Sequence, residues 1–356
     1  MFNSNRNSKP IKKGPKIVVL GGGTGLGTIL RGLKEITSNL TAIVTVADDG
    51  GSSGRLRKEF GILPPGDIRN CLVALADLEP LMERLMQYRF SGSSNLAGHS
   101  FGNLFITAMT DITGDFEAAI KESSKVLAVR GQVLPATLEN VQLKALLADG
   151  AVANGESLIS KSGQPIQKIS LEPADCRPVP EAVSAIKEAD LIILGPGSLF
   201  TSIIPNLLVK EIAAAIRRAE AIKLYICNAM TQPGETDNYS ASDHVRAIIN
   251  HAGQGLVDIM LVNTEPITED ILKRYAEEGA RPVKVDLEQI KSLGVTPLAS
   301  RIIVKSTVVR HDARKLAKIV NSLARSRRIG LPFGKFVVKQ FFRFVKGFSG
   351  FFLSRM

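Results

Sequence analysis

Between Lys16 and Ala47 the residue pattern changes character three times, and this narrows the fold more than any other stretch. Lys16-Ile17-Val18-Val19-Leu20 is an apolar run short enough for a buried strand, and glycines follow at once. From Gly25 to Ile36 the spacing is helical, with Leu26, Ile29, Leu30 and Leu33 on one face, and Thr41–Ala47 is a second β-branched run. That is a strand–turn–helix–strand unit of parallel type. Further apolar runs at Asp190–Leu194, Ile222–Cys227, Val257–Val262, Pro282–Asp286 and Arg301–Lys305 read as strands. Helical stretches at 181–189, 206–220, 239–252 and 268–278 alternate with them, and 71–89 and 115–126 read as two more helices. Alternation of this kind predicts a Rossmann-like, doubly wound α/β fold whose mainly parallel sheet is covered on both faces. Residues 125–172 break the rhythm with short runs parted by Asp149-Gly150 and Ser162-Gly163, which predicts a small antiparallel hairpin excursion.

Charge separates the ends from the body. The 356 residues carry a net charge of +11, but five bases and no acid lie in 1–16, and eight bases and no acid in 325–356. The body, 17–324, keeps 32 of the 45 bases against all 34 acids. A nucleic-acid-binding domain concentrates basic charge in its folded body, so no nucleic-acid partner is expected. Three cysteines without a C-x-x-C pair argue against a disulfide framework or a four-thiolate zinc site and fit a reducing cytosol. No apolar stretch precedes Ile17, and the longest uncharged run, Leu191–Val209, is interrupted by Gly195-Pro196-Gly197-Ser198 and Pro205. A strand, a glycine turn and a helix explain that run better than a membrane span.

In an open parallel sheet, ligands bind beyond the carboxyl ends of the strands. The first strand ends in Gly21-Gly22-Gly23-Thr24-Gly25, where the backbone can approach a phosphate and a helix N-terminus follows. The turn is neither the G-x-G-x-x-G fingerprint nor a P-loop. The second strand leads to Asp48-Asp49-Gly50-Gly51-Ser52-Ser53. There one carboxylate could hold Mg²⁺ while the other meets a hydroxyl, and Ser52 and Ser53 could help wrap an anion. Pro64–Asn70 is a turn into a helix in which capping alone explains Asp67, whereas Arg69 and Asn70 reach toward the site. A second phosphate-type turn, Gly195-Pro196-Gly197-Ser198, repeats the logic of the first, as a diphosphate-bearing ligand would require. Asn228 and Thr231 follow a later strand and could read a base or sugar edge. His99 reads equally as a structural histidine or a ligand contact, and no hydrolase triad is placed around it.

The motifs IVVLGGGTGLGTILRGL, TAIVTVADDGGSSGRLR, PPGDIRN, GHSFGNL, ITGDFEAA, VRGQVLPAT, ADLIILGPGSLFTSIIPNLL, YICNAMTQPGET and VVRHD occur in order across about residues 16–324. Together they resemble the YvcK-type gluconeogenesis factors of the CofD-like group, which includes 2-phospho-L-lactate transferase. The resemblance implies a cytoplasmic protein that binds UDP-sugars, UDP-N-acetylglucosamine above all, and adjusts carbon flow into cell-wall precursors and so cell shape. It implies that NAD can occupy the same cleft. It also carries Tyr275, as a ring to stack on uracil, and Arg310, as a phosphate partner, into the site. The transferase side of the group implies another function: metal-assisted attack on a nucleoside diphosphate ester, with Asp48 and Asp49 as metal ligand and base. A nicotinamide-dependent dehydrogenase is a third and poorer fit, because the first turn lacks the fingerprint.

The expected organisation is a basic disordered tail at 1–15, a CofD-like core at 16–324 and a separate segment at 325–356. That last segment holds eight of the fifteen phenylalanines. Phe333, Val337, Phe341, Phe344, Phe348 and Phe352 fall on one helical face and Lys335, Lys339, Arg343 and Lys346 on the other. This predicts an amphipathic helix on an anionic membrane surface, with packing on a protein body as the alternative. The expected partners are thus a UDP-sugar, an enzyme of cell-wall precursor synthesis, a second copy of the chain and that membrane surface. No cofactor is required for the regulatory reading, whereas the transferase reading calls for Mg²⁺.

Overall fold

A strand that is covered on both faces needs no alternation, and this is what the apolar runs deliver. The structure, a computed structural model, describes residues 14–328 apart from 78, 305 and 306. The first half runs β1 (Ile17–Gly21), α1 (Gly23–Leu33), β2 (Leu40–Val44), α2 (Gly51–Phe60) and α3 (Gly66–Leu75). Then come α4 (Pro80–Gln87), α5 (Phe101–Thr113), α6 (Phe116–Val126) and β3 (Gln132–Pro135). The excursion is β4 (Gln142–Leu147), β5 (Val152–Asn154), α7 (Glu156–Ile159) and β6 (Ile166–Glu172). The chain returns through α8 (Pro180–Glu188), β7 (Leu191–Leu194), a π-helical turn (Leu199–Ile203), α9 (Ile204–Leu208) and α10 (Lys210–Arg218). It continues with β8 (Ile222–Ile226), α11 (Ala241–Ala252), β9 (Ile259–Asn263), α12 (Glu269–Glu277) and α13 (Leu287–Ser292). It closes with β10 (Thr296–Ser300), β11 (Ile303–Val304), β12 (Arg310–His311) and α14 (Ala313–Arg328).

Seven of these strands form one parallel sheet in the order β10-β9-β8-β7-β1-β2-β3. The order reverses direction at β1, the crevice where doubly wound folds place ligands. β1 and β7 are buried along their whole lengths. Helices complete the core: Leu26, Ile29, Leu30 and Leu33 of α1 and Leu316, Val320 and Leu323 of α14, packed beside it, are all but inaccessible. α14 lies so close to α1 that a Cβ on Gly32 would sit 2.3 Å from the Ala313 carbonyl oxygen. The excursion is a separate antiparallel sheet, β5-β4-β6.

Several expected elements differ. The helix expected at 71–89 is two, because Ala76 turns extended to bridge Val129 and Pro80 starts α4 afresh. The helix expected at 206–220 breaks where Val209 is extended, and α10 leaves the preceding helical stretch at 81°. VLAVRGQVLPA contributes no hairpin; its end is β3, the parallel edge of the main sheet. Pro282–Asp286 makes only isolated bridges to Met230 and Ser240. The sheet position expected for it belongs to Thr296–Ser300, and among the described residues of the stretch expected at Arg301–Lys305 only Ile303–Val304 pairs, antiparallel to β12. α14 runs through the boundary expected at 324/325. The basic tail up to residue 13 and the amphipathic pattern from 329 onward lie outside the described residues. Among the described residues, no single helix is long and apolar enough to cross a membrane.

Candidate functional site

The turns after β1 and β7 meet beyond the sheet. A Cβ on Gly25 would lie 2.6 Å from the Pro196 carbonyl oxygen, so the two glycine turns touch backbone to backbone. Asn206, fully buried, ties them further: its Nδ2 donates to the Gly21 carbonyl at 3.2 Å and to the Ser202 carbonyl at 2.7 Å. A cleft of about 1000 Å³ opens above this junction. Gly22, Gly23, Thr24, Gly25, Gly197 and Ser198 line it. Asn228 and Thr231 line it from the loop after β8, and Tyr275 and Arg310 from α12 and β12. The cleft is of the size that takes a drug-sized or larger ligand.

Some of these groups are already engaged. Asn228 Nδ2 donates to the Gly197 carbonyl at 2.9 Å and to Gln232 Oε1 at 3.0 Å, so it holds the second turn in place. Thr231 is 5% exposed, and its hydroxyl accepts the Arg281 N–H at 2.9 Å. The Tyr275 hydroxyl accepts the Val309 N–H at 3.0 Å, which links α12 to the strand that carries Arg310.

Other expected residues stand off the cleft lining. Ser52 and Ser53 are buried in the first turn of α2. Ser52 Oγ lies 3.0 Å from His99 Nδ1 and accepts from Asn103 Nδ2, while Ser53 Oγ accepts the Gly66 N–H at 3.2 Å. These hydroxyls pin α2 to α5 and α3, and His99 shares that packing role. Gly195 supplies the left-handed backbone, at φ +79°, that begins the second turn. Asp48 Oδ1 accepts the Gly50 N–H at 2.9 Å, and Asp49 Oδ1 accepts the Ser157 N–H at 2.9 Å. Among the described residues, no three carboxylate, thiol or imidazole groups come together as a metal-ligand set.

Carboxylates that the sequence did not single out as ligand groups hold both turns. Asp67 does not cap its own helix; Oδ2 accepts the first N–H of α1, that of Gly23, at 2.7 Å. Thr24 and Gly25 are left as the α1 N–H groups without an intrahelical acceptor. At the second turn, Glu235 accepts from the Ser198, Ser160 and Thr201 hydroxyls and the Phe200 N–H. Glu156 enters the lining from the excursion. Burial raises the Asp67 carboxyl to about 6, against the pull of the Gly23 N–H, and Asp48 adds repulsion. Burial, with Asp48, Asp67, Glu235 and Asp49 around it, raises Glu156 to about 9, so Glu156 carries its proton at neutral pH. Burial also raises Glu235, despite its hydrogen bonds. Next to Arg310, His311 lines the cleft with its Nε2 buried and unpartnered, and burial lowers it to about 4, which keeps the ring neutral.

The chain belongs to the CofD family: the pattern described as 2-phospho-L-lactate transferase CofD matches residues 17–303. Within it, the relatives are gluconeogenesis factors. The chain is 54% identical over 312 residues to the gluconeogenesis factor of Bacillus subtilis (strain 168), covering 87% of this chain and 98% of that one. It is 58% identical over 311 residues to a Nostoc sp. (strain PCC 7120) relative, covering 86% of this chain and 68% of that one. A crystal structure of a UPF0052-family protein from Bacillus halodurans has the same fold, with a TM-score of 0.84 and 52% identity over 86% of this chain and 99% of that one.

Proposed function

We propose that the cleft binds a UDP-sugar, UDP-N-acetylglucosamine above all, and that the chain is a cytoplasmic regulator of carbon flow into cell-wall precursors and of cell shape. The observation that carries this reading is the contact between the two glycine turns, with Tyr275 and Arg310 across the same cleft. A diphosphate laid over the junction meets free N–H groups of α1. Tyr275 offers its ring to uracil, and Arg310 offers a guanidinium to a phosphate. NAD, another diphosphate, fits the same logic. A partner enzyme of cell-wall synthesis, self-association and a membrane contact through 325–356 belong to this reading. The last is tested by comparing full-length and truncated chains for co-sedimentation with anionic liposomes; equal partitioning contradicts it. Titration calorimetry with UDP-N-acetylglucosamine, NAD and a GDP compound, each with and without Mg²⁺, tests the ligand. Silence toward UDP-N-acetylglucosamine at millimolar concentration contradicts the reading.

One observation favours a second reading, a CofD-like transferase. The charge of Asp48 adds to the raised proton affinity of Asp67, and Asp48, Asp67, Glu235 and Asp49 add to that of Glu156; a divalent cation would relieve that repulsion. Mg²⁺ would use Asp48 or Asp49, yet each of these has an oxygen on a backbone N–H, and the described residues form no ligand set. Mg²⁺-dependent release of UMP or UDP from a UDP-sugar would favour this enzyme over the regulator.

A further inference from the structure

The sheet order sets out the cleft as a line. Tyr275 follows β9, Asn228 follows β8, the glycine turns follow β7 and β1, and α3, which carries Arg69, comes after β2. From β8 to β2 is three strand spacings, about 14 Å. A nucleotide sugar with its base near Tyr275 and its diphosphate over the glycine turns extends its sugar toward α3. That end of the cleft is lined by Arg69 and Arg89, with Asn70 and Gln87.

Arg69 is an unusual cation. Its guanidinium donates only to neutral groups, the Ser100 hydroxyl and Asn70 Oδ1. Its Nε–H is buried and has no acceptor. Neither Arg69 nor Arg89 forms a salt bridge among the described residues, and Arg89 donates to the Gly98 carbonyl. Burial and the neighbouring Arg89 disfavour the charge on Arg69, while Asp67 and Asp48, neither bonded to it, favour it more weakly. Two guanidinium groups held close together without a carboxylate bonded to either make a site that an oxyanion completes. Arg31, which also lines the cleft, is already paired with Glu83 at 3.3 Å.

We propose that Arg69 and Arg89 form an oxyanion subsite at the sugar end of the cleft. Its occupant is a carboxylate or phosphate, carried on the sugar itself or bound as a free anion beside it. The subsite rests on the nucleotide-sugar reading and narrows it, because an anion at that end, on the sugar or beside it, then strengthens the hold on the nucleotide sugar.

The test compares UDP-glucuronate with UDP-glucose on the full chain by titration calorimetry, with UDP-glucose repeated in inorganic phosphate. It then repeats the set on Arg89→Gln, at an exposed position, and on Arg69→Gln. If the oxyanion belongs to the sugar, UDP-glucuronate binds about tenfold or more tightly than UDP-glucose. If it is a free anion, phosphate tightens UDP-glucose by a similar factor. In either case, the advantage shrinks toward unity in both variants. Equal affinities with no phosphate effect overturn the subsite and leave the nucleotide-sugar reading standing, as does a preference that survives both substitutions. If neither sugar nucleotide binds, the broader reading and the subsite fall together.

Discussion

The two glycine turns of the cleft reach the same place by different means. The first, after β1, leads into a regular helix whose first N–H is held by Asp67, a carboxylate from another element. The second, after β7, leads into a π-helical turn whose side-chain hydroxyls, on Ser198 and Thr201, converge on Glu235. One is held through backbone and the other mainly through side chains. In both, a carboxylate of raised proton affinity stands where a phosphate would otherwise be welcome. A helix N-terminus in this fold is therefore no empty anion hole, and any diphosphate bound there would share it with acids that take up protons more readily than usual.

The largest effect is expected at Glu156, which feels the acids of both turns. Its folded-state value of about 9 stands against an ordinary 4.5, so at pH 7 the fold must keep a proton that the unfolded chain releases. Glu156→Gln should stabilise the protein at pH 7 by roughly 3 kcal/mol, read by urea denaturation. Asp67 separates the turns by pH. Its folded value of about 6 lies above the ordinary 3.8, so the native state binds the extra proton between those values. Its cost is complete above about pH 6 and is relieved as pH falls toward 4. Wild-type stability relative to Asp67→Asn should therefore rise across that window by up to about 3 kcal/mol, with no trend from pH 7 to 8. A flat difference would show that burial does not hold Asp67 as described.

Backbone contact separates the turns next. Gly25→Ala drives a methyl to 2.6 Å from the Pro196 carbonyl, whereas the nearest neighbour of an added Cβ on Gly197 is the Gly22 carbonyl at 3.3 Å. Gly25→Ala should cost about 1–3 kcal/mol and Gly197→Ala less. Equal losses would mean the turns do not depend on their close approach. The smallest effect is expected at Tyr275→Phe, which removes the hydroxyl that accepts the Val309 N–H. It should cost about 0.5–1.5 kcal/mol in thermal unfolding while keeping the ring available to a base.

The sequence disclosed what short-range pattern can encode. Leu191–Leu194 and Ile17–Gly21 were legible as strands because burial on both faces leaves an unbroken apolar run. Thr296–Ser300 was not, because every residue of that edge strand is only half-buried. Pro282–Asp286 looked like a strand because Val283 and Val285 alternate with polar residues, but it is an extended connection without a ladder. Gly51–Phe60 hid its helix behind glycines and serines that read as a loop. In the site, the glycine turns were visible because glycine has a backbone reason to be there. Glu156 was not, since it arrives from the excursion and nothing near it in sequence points to Asp48 or Asp67. Asp67 was visible as a helix-start residue, but which helix it serves is a tertiary fact. His311 had a usable signal, its place beside Arg310.

The central claim is that a nucleotide sugar lies across the junction of the turns, with Arg310 on its phosphate. Titration calorimetry of UDP-N-acetylglucosamine into the wild-type chain and into Arg310→Ala tests it most directly. The expected result is saturable one-site binding to the wild type, at least tenfold weaker in the variant, with the ligand recovered intact. Equal affinity in the two chains, or no heat at millimolar ligand, would contradict it.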